Sequence, residues 1–244
     1  MRMKTVWKVL IGILAAILVL FIAAEAGSRA YIGSQMRDQA PEGTEVSFGA
    51  SPLTLGMLRG TIPHVTVTTP STLVVNGDET TGQPASTVEM DSIKVDASGK
   101  SVADTLTATT EVPSEFVRAM LNTQLQQNIG SDFLSALINV SEVTTSPEDG
   151  TFTVEFSGGA AAVSLRPEID DAGGFSVQAV DTSLFGNTLP DEISSAITEA
   201  LTNGVAEYTD QTMRITGFDV VPGGLRVTMQ GHDVDFAELQ AYQQ

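Results

Sequence analysis

The stretch that decides the fold is TFTVEF, Thr151–Phe156, in which Phe152, Val154 and Phe156 alternate with polar or smaller residues. An alternation with a period of two residues is typical of a β-strand that buries one face. The same pattern recurs at 65–69, 87–96, 105–112, 161–166, 175–180, 212–220 and 225–230. The sequence therefore predicts eight or more strands, each with one apolar face.

Turn signals separate several of these strands. They are Asn76–Asp78, Pro147–Gly150, Asp170–Gly174 and Pro222–Gly224. Gly, Asn, Asp and Pro favour tight turns, and connections this short join antiparallel neighbours. We expect a sheet built mostly from hairpins.

Two segments have the periodicity of a helix instead of the two-residue alternation of a strand. In PSEFVRAMLNTQLQQNIG, residues 113–130, the apolar stripe contains Phe116, Val117, Met120, Leu121 and Leu125. In LPDEISSAITEALTNG, residues 189–204, the stripe contains Ile193, Ala196, Ile197, Ala200 and Leu201. Both segments have Pro near the start and Gly at the end, as helices do.

Amphipathic helices need an apolar surface to pack against, and the large apolar surface in this chain is the apolar face of the sheet. The pattern predicts an α+β fold in which a long, twisted antiparallel sheet curls around two amphipathic helices. Such a sheet leaves either a lengthwise apolar groove or a completely filled core, and periodicity does not distinguish these two outcomes.

The amino-terminal region contains one uninterrupted apolar run, VLIGILAAILVLFIAA, residues Val9–Ala24, which follows Arg2, Lys4 and Lys8. Its charge asymmetry predicts that everything after about Glu25 is exported. Its sixteen residues suit either a cleaved signal peptide or an N-terminal membrane helix that acts as a signal anchor. We therefore divide the chain into residues 1–26, the signal peptide or anchor, and residues 27–244, a single domain.

The two alternatives lead to different locations. An anchored protein would stay in the cell envelope at the outer face of the plasma membrane, whereas a cleaved one would be periplasmic or secreted. The segment that follows, EAGSRAYIGSQMRDQ, has no Pro and places Ala26, Ala30, Ile32 and Met36 roughly on one helical face. An uncleaved helix would then continue from the membrane into the domain.

The charge of the chain constrains its partners. All 30 acidic residues lie after Ala24, with only nine of the 12 Lys and Arg, which gives the exported part a net charge of −21. Nucleic acid is excluded as a partner because phosphate binding needs a basic surface. Contact with a membrane must depend on apolar surface.

Few residues of the sequence suit catalysis. The chain has no cysteine and only two histidines, His64 and His232, and it lacks the G-x-S-x-G and H-E-x-x-H patterns. Asp233 and Asp235 beside His232 are more simply solvated carboxylates than metal ligands. We expect no enzyme activity, no metal and no cofactor.

Four stretches in a fixed order resemble one known family. They are AEAGSRAYIGSQM (24–36), VSFGASPLTLGMLRGTIPHVTVTT (46–69), STVEMDSIKVDA (86–97) and GFDVVPGGLRVTMQGHDVDF (217–236). Together they are similar to the actinobacterial LmeA family of phospholipid-binding cell-envelope proteins. The resemblance implies a fold similar to the tubular lipid-binding proteins of the bactericidal permeability-increasing type, with a cavity for acyl chains. It also implies a role in assembling or maintaining mannose-containing envelope glycolipids.

These observations define two groups of candidate residues. We expect the lining of a phospholipid or glycolipid site to include Val117, Met120, Leu121, Leu125, Ile193, Ile197 and Leu201. We expect membrane contact through SPLTLGMLRG, at Leu53, Leu55, Met57, Leu58 and Arg59. The alternative for both groups is ordinary core packing.

Lipid binding without catalysis is the function that this sequence favours. Two alternatives remain, namely a lipid-independent scaffold for an envelope-biosynthesis enzyme and a hydrolase of envelope lipid or glycan.

Overall fold

A computed structural model describes residues 22–37, 40–96, 100–128, 139–169, 175–184 and 213–236. Strands dominate these ranges, and every strand pair within them is antiparallel. The predicted second helix, 189–204, and nearly all of the apolar run Val9–Ala24 lie outside the described residues. Within the described residues, no helix has the length and apolar character needed to cross a membrane.

The strands form two large sheets and one hairpin. In spatial order, the six-stranded sheet consists of β1 (Glu45–Phe48), β2 (Thr61–Thr69), β5 (Ala85–Val95), β6 (Ser101–Pro113), β12 (Gly224–Asp235) and β11 (Met213–Val221). The four-stranded sheet consists of β10 (Phe175–Leu184), β9 (Ala161–Ile169), β8 (Thr151–Phe156) and β7 (Val140–Ser146). The hairpin pairs β3 (Val74–Asn76) with β4 (Glu79–Thr81).

The α+β class is confirmed, but the prediction of one long sheet is wrong. Helix α3 (Ser114–Asn128) follows β6 directly, and β7 after it starts a second sheet with β8 to β10 instead of continuing the first. The final hairpin returns to the first sheet, where β12 pairs with β6. Alternation predicts which face of a strand is buried but not which strand lies beside it.

Helices α1 (22–37), α2 (Leu53–Met57) and α3 (Ser114–Asn128) accompany these sheets. The predicted helix after Pro113 is confirmed in α3, and α1 passes Glu25 without a break. The predicted apolar face of α1 is only half correct, because Ile32 and Met36 are partly buried whereas Ala26 and Ala30 are exposed. Two charged residues, Glu25 and Arg29, occupy the inward positions instead.

The six-stranded sheet bends where three adjacent strands break alternation in the same row. Ser92 in β5 and Asp233 in β12 both have φ of 52°, and both lie opposite Asp104 of β6. The buried residues on either side of this row are three positions apart in each strand, namely Met90 and Ile93, Ala103 and Leu106, and Gly231 and Val234. Bulge-like irregularities of this type bend a strand and increase its twist.

Two apolar clusters form the core. The first joins α3 to the four-stranded sheet, and its buried members are Val117, Leu121, Leu125, Val140, Val143, Phe152, Val154, Phe156, Ala161, Val163, Leu165, Val177 and Leu225. The second lies on the inner face of the six-stranded sheet, and its buried members are Val65, Met90, Ile93, Ala103, Leu106, Met213 and Val234. Met36 of α1 packs against the second cluster.

Candidate functional site

An apolar groove of about 500 Å³ lies where the two sheets approach α3. Its volume is within the roughly 300–1,000 Å³ that small-molecule sites occupy. Its lining residues are Thr80, Gly82, Gln83, Pro84, Ser86, Thr110, Val112, Phe116, Val117, Met120, Phe175, Phe218, Leu225, Val227 and Met229.

Alternation along β6 and β12 constructs the floor of the groove. Thr110 and Val112 face the same side of β6, and they pair across the sheet with Val227 and Leu225 of β12. Met229 continues this row and also packs against the second core cluster. The groove is thus an unfilled continuation of the sheet's apolar inner face.

Helix α3 supplies one wall. It starts at Ser114, whose amide N–H donates to the carbonyl oxygen of Gly223 at 3.0 Å, directly after β6 ends at Pro113. This short connection turns Phe116, Val117 and Met120 toward the groove. Residues three and four positions apart share a helical face, so these three form one apolar surface.

A stacked aromatic pair supplies the opposite wall. The rings of Phe175 in β10 and Phe218 in β11 have centroids 4.7 Å apart and an interplanar angle of 30°. Because β10 and β11 belong to different sheets, the stack connects both sheets at the groove. Phe116, Met120, Phe175 and Phe218 are only partly buried, unlike the adjacent fully buried core.

The described lining contains no ionisable side chain, although the whole chain carries a net charge of −18. Two nearby arginines are paired with acids. Arg118 Nη1 lies 3.0 Å from Asp78 Oδ1, and Arg226 Nη2 lies 2.7 Å from Glu111 Oε1. The groove therefore suits an uncharged apolar ligand segment, which needs no counter-ion.

The β3–β4 hairpin and the residues after it form the rim. Asp78 at its turn accepts hydrogen bonds from Arg118 and from Asn122 Nδ2, the latter at 2.9 Å. Asn122 is buried and also exchanges two hydrogen bonds with the backbone of Val140, at 2.7 and 3.1 Å. Polar contacts from α3 thus hold the rim and the first residue of β7 together.

The structure separates the residues that we expected to line a lipid site. Val117 and Met120 line the groove, whereas Leu121 and Leu125 are buried in the first core cluster. The remaining three, Ile193, Ile197 and Leu201, lie outside the described residues. Contact of any of these residues with lipid stays a prediction.

Sequence reasoning missed the part of the lining that comes from strands. Phe175, Phe218, Val227 and Met229 were recognisable as inward-facing positions of alternating strands. Their pattern is the same as that of Phe152 and Val154, which are fully buried. Only the arrangement of the two sheets distinguishes a groove residue from a core residue.

The predicted membrane-contact segment forms α2 and the turn after it. Leu53 is 1% exposed, because the helical spacing turns Leu53 and Gly56 toward β2. Contact of this segment with a membrane stays a prediction. Leu55, Met57 and Leu58 are 46%, 48% and 85% exposed. These three side chains and exposed Arg59 are available to a partner.

Glu25 of α1 caps this short helix. Its carboxylate accepts hydrogen bonds from the amides of Leu53 and Thr54, at 2.8 and 2.9 Å, and from Arg29 Nε at 2.6 Å. Desolvation raises the pKa of Glu25, but the hydrogen bonds from Thr54, Leu53 and Arg29 outweigh it and lower the pKa from 4.5 to about 2. The carboxylate is therefore charged at neutral pH.

The histidines lie away from the groove, on the outer face of the six-stranded sheet. His64 Nδ1 is 2.6 Å from Asp91 Oδ1, and His232 Nδ1 is 3.5 Å from Thr105 Oγ1. Among the residues that the structure describes, no three His, Asp or Glu side chains are grouped to hold a metal ion.

Comparison with known proteins gives one match. A family model described as "LmeA-like phospholipid-binding" matches residues 21–230. No curated protein and no solved structure matches the chain. The matched range contains every residue of the described groove lining.

Proposed function

We propose that the groove between α3 and the two sheets holds an acyl chain of a bound phospholipid, because this chain belongs to the LmeA-like phospholipid-binding family. The observation that carries the proposal is a cluster of large, partly buried apolar side chains around one open volume, with no charge in the described lining. Headgroup contacts would then lie outside the groove.

The volume and the hydrophobic effect support this assignment. Eight to ten methylene groups, each about the size of a water molecule at ~30 Å³, need roughly 240–300 Å³, and the groove provides about 500 Å³. At ~0.8 kcal/mol for each methylene, burial would contribute roughly 6–8 kcal/mol before entropic costs. Apolar burial would therefore be the main favourable contribution to binding.

The proposed role is noncovalent binding in the cell envelope, without catalysis. The protein would act at the outer face of the plasma membrane if residues 1–26 remain as an anchor, or as a periplasmic or secreted carrier if they are removed. In either form it would support assembly or maintenance of envelope glycolipids, in contact with the enzymes that build them. The apolar lining, which has no ionisable side chain among the described residues, supports binding rather than group transfer.

Native mass spectrometry of the purified full chain tests the proposal. We expect copurified phospholipid whose amount falls when the groove is filled by Met120→Trp. A protein that is free of lipid would support a scaffold, and turnover of added envelope lipid or glycan would support a hydrolase. Either of these results would contradict the proposed function.

A further inference from the structure

A second apolar surface lies on α2, apart from the groove lining. It consists of Leu55, Met57 and Leu58, which we call the α2 patch, and Leu58 is the most exposed at 85%. Exposure of three large apolar side chains within four residues is unusual for a water-facing surface and indicates an interaction site.

The α2 patch cannot become buried by rotation of its helix. Gly56 faces β2 so closely that a Cβ atom there would clash with the carbonyl oxygen of Thr61 and would lie 2.8 Å from Pro63 Cδ. Leu53, on the same side of the helix, is buried in the core. The contact side of α2 is therefore fixed, and the patch remains on the outside.

Two charged residues of α1 fix the position of the patch relative to α1. The Glu25 carboxylate accepts hydrogen bonds from the first two amide N–H groups of α2, those of Leu53 and Thr54. Arg29, one turn later, donates to the carbonyl oxygens of Phe48, Gly49 and Ser51 at 3.1, 2.9 and 3.0 Å. We call this pair of residues the α1 clamp.

The α1 clamp lies at the end of the apolar run. Glu25 is the residue directly after Val9–Ala24, and Arg29 follows by one helical turn. If that run is embedded in a bilayer, the clamp positions α2 at the height where the chain leaves the apolar layer. An apolar patch at that height would meet the interfacial region of the lipid.

The charge distribution favours the same partner. Residues 46–77 contain no Asp or Glu, although the chain has 30 acidic residues, and the charged residue in this stretch is Arg59, next to the patch. An acidic surface would be repelled by anionic lipid headgroups, whereas this stretch would not. A long, positively charged side chain beside apolar ones also suits a headgroup boundary.

We propose that the α2 patch inserts into the lipid bilayer that holds the amino-terminal run, and that the α1 clamp sets its depth. This surface lies outside the groove and does not depend on what the groove binds. Its occupant is the bilayer itself, and a protein partner is the competing outcome of the test.

Depth-dependent fluorescence quenching tests the proposal in the full chain. Trp7 is the single tryptophan, so Trp7→Phe provides a silent background for Leu58→Trp. The matched control is Val180→Trp, at a 41% exposed position on β10. Both variants are reconstituted in phosphatidylcholine vesicles whose acyl chains carry bromine, which quenches tryptophan on contact.

We expect Trp at position 58 to lose most of its fluorescence and Trp at position 180 to keep most of it. Equal quenching at both positions would overturn bilayer insertion and would leave the patch as a protein-binding surface. A purified protein that is free of lipid but still shows quenching at position 58 would contradict the groove proposal alone. The two proposals can therefore fail separately.

A second variant tests the clamp. Glu25→Gln keeps the size of the side chain but removes its charge, and we expect it to reduce quenching at position 58 while the thermal unfolding of the sheets stays the same. Arg29→Gln should have the same effect. Unchanged quenching in both variants would overturn the role of the clamp in setting depth.

Discussion

Filling the groove with a larger side chain is the direct test of acyl-chain binding. Met120 projects from α3 into the groove and is only partly buried, so Trp at this position has space that a closed core would not provide. Trp has about six more non-hydrogen side-chain atoms than Met, and displacing as many methylenes at ~0.8 kcal/mol each removes up to about 5 kcal/mol of binding free energy. If half of this loss is realised, affinity falls about 60-fold.

The measurements are the dissociation constant of a fluorescent acyl lipid and the lipid content of the purified protein. Val180→Trp adds the same indole ring to an exposed strand position and should leave both unchanged. Thermal unfolding of each variant shows whether the fold is retained, since overpacking in a closed site costs about 1–3 kcal/mol.

Normal folding of Met120→Trp together with unchanged lipid affinity would contradict acyl-chain binding beside Met120. In that case the acyl chain does not occupy this part of the groove. Loss of both folding and binding would instead show that Met120 acts as a core residue, which its partial burial argues against.

Three further predictions follow from buried or clamped residues. Phe152→Ala removes a ring that is 1% exposed in the first core cluster, and chemical denaturation should show a loss of about 3–5 kcal/mol. Asn122→Ala leaves the paired backbone groups at the start of β7 without partners, so denaturation should show a loss of about 1–3 kcal/mol for each buried group left unpaired. Because the folded pKa of Glu25 is lowered from 4.5 to about 2, its stabilisation of α2 is complete above pH 4.5 and is lost as pH falls toward 2. The amide proton shifts of Leu53 and Thr54 in the folded protein should titrate with a midpoint near pH 2, and Glu25→Gln should abolish this titration.

The local elements of the fold were largely readable from the sequence. Period-two alternation identified β8, β9 and β12, and the stripe after Pro113 identified α3. The turns at Asn76–Asp78 and Pro222–Gly224 also lie where the structure has them, with Gly77 and Gly223 at positive φ. These features depend on neighbours within a few residues, which the sequence displays directly.

The breaks in alternation were not readable in this way. Ser92 and Asp233 adopt a left-handed conformation that neither residue type demands, and both lie opposite Asp104 in the assembled sheet. The two positions are 141 residues apart in the chain. A bend that spans three strands is a property of the assembled sheet, and no single strand specifies it.

The same distinction applies to the candidate site. The stripe of α3 supplied Val117 and Met120, and the order of four short stretches indicated the family to which the chain belongs. The sequence by itself determined these because they depend on residue types and on spacing along one element. Tertiary structure alone decided that Leu121 is a core residue whereas Met120 borders the groove. It also decided that Leu53 faces inward whereas Leu58 faces outward, and that the ring of Phe175 stacks on that of Phe218. Each of these depends on which surface a side chain meets, and that surface comes from residues distant in the chain.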